Sequence, residues 1–107
     1  GFEDPFCRAY FDWDRVEGNI LRDFFRSLMH LKNEKDALRL GDLWVEPYGE
    51  RALLIRRERD GKKILALVNS EGTLSAPVPE RTILSNKMRK DGKTMLLDSY
   101  GFVLWEE

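Results

Sequence analysis

The chain has one cysteine and one histidine in 107 residues, and it has no long apolar run. A single cysteine, Cys7, can close no internal disulfide and cannot by itself build a thiolate metal site. It tilts the composition towards a reducing compartment, so a cytoplasmic location is expected. No apolar stretch approaches the ~20 residues of a membrane-spanning helix, and no charged-then-apolar leader stands at the N-terminus. An excess of one charge is missing as well. Eighteen Lys and Arg face nineteen Asp and Glu, for a net charge of −1, which gives no bulk attraction to nucleic acid or to an anionic membrane. There is no phosphate-binding glycine loop and no cluster with metal-ligand spacing, so no cofactor or metal is expected.

What is present fits one domain with a helical appendage: 42% hydrophobic residues for a modest core and 35% charged residues for a wet surface. Residues 1–18 read as irregular. Their opening, GFEDPFCRAYFDWD, holds Asp4, Pro5 and Arg8 in one loop with Phe2, Phe6, Tyr10 and Phe11. Asp-Pro favours a turn. This loop and its Gly1 start lead us to expect a segment that belongs to a longer polypeptide. From Ile20 the period is helical. Ile20, Phe24, Leu28 and Leu31 share one face, flanked by Leu21, Phe25 and Met29. The helix is expected to start near Asn19, with Asp14 and its Glu17 as an earlier capping choice, and to end within residues 33–36. After Gly41 the period becomes 2. Strands are expected near 42–47, 51–59, 62–69, 73–78, 81–85, 93–98 and 101–106. Asp60-Gly61 and Asp91-Gly92 are strong hairpin signals, and Glu71-Gly72 is a weaker one. Ile64-Leu65-Ala66-Leu67-Val68 is apolar on both faces and should be a central strand covered above and below. The fold expected is α+β and mostly β: one N-terminal helix, then an antiparallel Greek-key β-sandwich, with the boundary at residues 36–42.

Few residues offer chemistry. Asp4 and Arg8 could present an acceptor and a forked donor to a sugar, or could simply shape their own loop by a salt bridge. His30 has no serine, cysteine or acid at a catalytic spacing and reads as a packed or surface side chain. Cys7 has no nearby histidine and reads as inert. Arg56, Arg57, Arg59, Lys62 and Lys63 cluster at one hairpin, which with Trp44 and Tyr48 could form a nucleic-acid face. Glu58 and Asp60 interrupt that run, so a solvated hairpin end is the expectation. Trp13, Trp44 and Trp105 could stack on sugar rings or serve as packing residues.

Several segments, in order, resemble the C-terminal end of the α-amylase superfamily, glycoside hydrolase family 13, and look closest to its neopullulanase, cyclomaltodextrinase and maltogenic amylase group. GFEDPFCR (1–8) is similar to that family's G-x-x-D-P-x-x-R loop after the eighth barrel strand, and FDWD (11–14) to the W-D that follows. FRSLMHLK (25–32) resembles Y-R-x-L-I-x-L-R of the eighth barrel helix, with Lys32 where arginine is usual. ALRLG (37–41) matches its A-L-R-x-G close. LIRR (54–57), ILALVN (64–69) and Tyr100-Gly101-Phe102 resemble strands of the family's C-terminal β domain, while residues 73–95 match by pattern only.

The resemblance implies that residues 1–36 are the end of a catalytic barrel and 37–107 a C-terminal β domain that stabilises it. It implies that Asp4 and Arg8 contact glucose units of an α-glucan or maltooligosaccharide. The catalytic carboxylates of such enzymes sit after earlier barrel strands, so no catalytic residue is expected here and the segment alone should be inactive. The expected partners are that substrate, through the parent enzyme, and the barrel of the same polypeptide. Neither nucleic acid nor membrane is expected. Without the barrel, an apolar strip beside Phe24 and Phe25 should be uncovered, or be covered by a dimer or by residues 1–14. Two rival readings are a free-standing carbohydrate-binding β module and, more remotely, a nucleic-acid-binding barrel.

Overall fold

Period-2 alternation broken by glycine turns encodes antiparallel strands, and the computed structural model, which describes residues 18–31, 38–40 and 43–107, consists mainly of them. Among the described residues a helix, α1 (Gly18–Leu31), precedes β1 (Leu38–Leu40), β2 (Leu43–Tyr48), β3 (Ala52–Arg59), β4 (Lys62–Asn69), β5 (Leu74–Pro77), β6 (Thr82–Asp91) and β7 (Thr94–Glu106). All pairs are antiparallel. They form one seven-stranded sheet of order β1-β2-β3-β4-β7-β5, with β6 on the opposite edge of β7.

The turns follow their residues. Arg59 pairs with Lys62 around Asp60 and Gly61, both at positive φ (54° and 79°), the backbone that a two-residue Asp-Gly hairpin requires. Asp91 pairs with Thr94, so Asp91 ends its strand and Gly92 and Lys93 make that loop. As expected, β4 is central, between β3 and β7, and buried from Ile64 to Asn69.

The two faces of β2, β3, β4 and β7 are covered differently. Phe24, Phe25 and Leu28 of α1 lie on one side of the helix at i, i+1 and i+4 and are each 0% exposed. They pack on Leu43, Val45, Leu53, Ile55, Ala66, Val68, Phe102 and Leu104. The Phe25 ring meets Phe102 edge-on, with centroids 5.1 Å apart and planes at 67°. Asp23, Arg26 and Ser27 are exposed. The Arg26 guanidinium sits 4.6 Å from the centre of the Tyr100 ring, a cation–π contact between helix and sheet. Of the outcomes expected for the strip beside Phe24 and Phe25, open or covered, these two residues show cover; residues 1–14, one of the expected covers, lie outside the described residues.

The other face is covered by the sheet itself. β7 was expected as two strands split near residue 100; it is one 13-residue strand with a bend. Residues 102–106 pair with β4, and residues 94–97 pair with β5. β6 follows both halves, with a register shift between Asn86 and Met88. At the bend Tyr100 has φ 58°, and opposite it Lys87 has φ 55°. A Cβ on Gly101 would stand 2.8 Å from the Asp98 carbonyl oxygen and 2.9 Å from that of Lys87, so only glycine fits this close approach. The bend turns Ala76, Met95 and Leu97 over Ala52, Leu67 and Val103 to make a second core. Asn69, 1% exposed, pins it: its Nδ2 donates to the carbonyl oxygens of Gly72 (2.9 Å) and Leu97 (3.0 Å).

Candidate functional site

Asp4, Arg8, Cys7 and Trp13 lie outside the described residues, as does the side chain of His30. The sites available to geometry are therefore the basic hairpin and the tryptophans of the sheet.

The hairpin does not assemble one basic face. Successive strand residues point to opposite faces. Arg57 follows Ile55 on the helix side and is only 9% exposed, whereas Arg56 is exposed on the other side. Glu58 pairs with Lys63, so an acid stands among the bases. Arg56, Glu58, Asp60, Lys62 and Lys63 are exposed, whereas Arg57 is buried.

Trp44 has a different setting. Its neighbours Leu43 and Val45 point to the helix-side core, so its indole points to the outer face. There it belongs to neither hydrophobic core and is half-buried. Arg39 of β1 and Arg56 of β3 are its register partners on either side. Directly opposed residues on a sheet stand about 5 Å apart at Cβ, close enough for their side chains to meet. Glu58, two residues beyond Arg56, lies on the same face. Arg39, Leu43, Trp44, Arg56 and Glu58 line a groove of about 140 Å³. The row continues through Leu65 to Trp105, which packs against the second core.

Trp44 is legible in the sequence, but Arg39 and Glu58 are not legible as its companions, because the first strand is expected only from residue 42 and residues 36–42 as the boundary after the helix. The missed signal is Leu38-Arg39-Leu40 followed by Leu43-Trp44-Val45: two alternating triplets separated by Gly-Asp, a hairpin dipeptide.

Among the described residues no three His, Cys, Asp or Glu side chains gather as a metal-ligand set. No helix there is long and apolar enough to cross a membrane. No protein-family model and no curated protein matches the chain.

Proposed function

We propose that the chain is the C-terminal part of an α-glucan-acting glycoside hydrolase or transglycosylase of the α-amylase type, in which residues 37–107 are a β domain that stabilises the catalytic barrel. The observation that carries this reading is the agreement of motif order with element order. The segment resembling the last barrel helix runs along α1, which docks at once on an antiparallel β module. The segments resembling the first β-domain strands are the adjacent central strands β3 and β4, and Tyr100-Gly101-Phe102 lies in the last strand. A Greek-key sandwich is part of the same reading.

In this role Asp4 and Arg8 hold glucose units on the non-reducing side of the cleft. The two carboxylates that retaining chemistry needs come from barrel strands that the matched motifs do not include. Phe24 and Phe25 are fully buried, with residues of the β module among their neighbours.

The test is the coding sequence upstream of Gly1, combined with an assay of the chain itself. The expected result is an open frame encoding the rest of a barrel, with acids after its fourth and fifth strands, and no turnover of maltooligosaccharides by residues 1–107. A stop codon directly upstream, or turnover by this chain alone, overturns the proposal.

A further inference from the structure

The geometry points to a separate, non-catalytic site for one sugar ring in the outer-face groove, with the Trp44 indole as platform, Arg56 and Arg39 as donors and Glu58 as acceptor. It goes beyond the proposed parent activity and does not depend on it.

A large indole outside both cores, on a face that the folded-over strands cover only towards Leu67 and Val103, is the starting observation. Its strand neighbours supply the rest: Arg39 and Arg56 stand in register on either side, and Glu58 completes the lining of the groove. The chemistry of that lining selects the occupant. Guanidinium groups donate and cannot accept; an ionised carboxylate accepts and cannot donate. An anion such as phosphate would suit the positive charge of Arg56 but would face Glu58 as a like charge. A sugar hydroxyl donates and accepts, so neighbouring hydroxyls on one ring can receive from Arg56 and give to Glu58. The C–H face of a pyranose, with its small positive partial charges, suits the electron-rich face of an indole. At about 140 Å³ the groove is below the ~300 Å³ at which drug-sized pockets begin, which fits one ring of an oligosaccharide and not a buried chain.

The test is a ¹⁵N NMR titration of the whole chain, with the Trp44 indole N–H assigned through Trp44→Phe. The probes are maltotriose, cellotriose, xylotriose and inorganic phosphate. The expected result is a saturable shift of the Trp44 indole and of the amides around residues 39, 56 and 58 with at least one of the sugars, at a Kd on the order of 1 mM. Trp44→Ala should weaken that binding at least tenfold. Glu58→Gln, an exposed change that leaves the fold in place, should weaken it about three- to tenfold. A response to phosphate alone, made stronger by Glu58→Gln, overturns the assignment by showing an anion site. So does the absence of a saturable shift at Trp44 with all three sugars. Which sugar is preferred bears on the parent activity and leaves the site intact.

Discussion

The two faces of one sheet are finished in opposite ways. The helix side of β2, β3, β4 and β7 is closed by a separate element, and its three covering side chains, Phe24, Phe25 and Leu28, have no exposed surface. The outer side is closed by the same strands, which bend back at Gly101 and Lys87 and reach only part of the way across. Where the cover stops, Trp44 remains half-buried between two arginines. A helix lays a continuous apolar stripe on a sheet. A folded-over strand pair covers only the width of the strands it brings, so among the described residues one end of the face has no such cover. In this molecule stability and the candidate recognition surface therefore lie on opposite faces of the same strands.

The largest test of that division is Phe25→Ala. The substitution removes a fully buried ring from the helix–sheet core and its edge-on contact with Phe102. The expected loss is about 3–5 kcal/mol, a large share of the ~5–15 kcal/mol that holds a domain of ordinary stability. Urea unfolding followed by circular dichroism measures it. A loss below about 1 kcal/mol would mean that α1 is not the lid of this face.

Asn69→Ala probes the outer face with a smaller effect. It leaves the carbonyls of Gly72 and Leu97 without their donor where β4 ends against the bend of β7. The expected cost is about 2–3 kcal/mol, since a buried acceptor left unpaired costs more than the net value of one hydrogen bond. The amides of residues 94–97 should lose hydrogen-exchange protection before those of residues 64–68, because the substitution loosens the folded-over half first. Simultaneous loss in both halves would erase the distinction between the two covers.

How much of this was legible beforehand depended on which physical signal each element uses. The stripe of Ile20, Phe24 and Leu28, the Asp60-Gly61 hairpin and the two-faced run from Ile64 to Val68 are local patterns, and each gives its element in the right place. The strand expected at 81–85 stops short of β6, which runs on to Asp91 through the polar residues Asn86, Lys87, Arg89 and Lys90. That composition is what an edge strand carries: among the described residues β6 pairs only with β7, and charged side chains discourage pairing on its open edge. Residues 99–100 separate the two strands expected at 93–98 and 101–106, where the structure has one bent strand. It bends because β6 bulges beside it at Lys87, a match between residues 14 positions apart that no local window contains. The same limit hid the groove. Arg39, Trp44 and Glu58 become neighbours only through the registers of three strands. Asp4 and Arg8, which rest on motif alone, lie outside the described residues.

The smallest expected effect separates the two faces most sharply. Trp44 is as large as any core residue, yet it belongs to neither core, so Trp44→Ala should cost only about 1 kcal/mol, from strand propensity and its cross-strand pairing with Arg39 and Arg56. The same substitution at Phe25, one face away, is expected to cost several times more, although the phenyl ring is the smaller of the two. Measured side by side in urea, the pair tests whether size or placement sets the penalty. If Trp44→Ala approached the Phe25→Ala value, the indole would be a packing residue, and the outer groove would lose its reason to hold an aromatic platform.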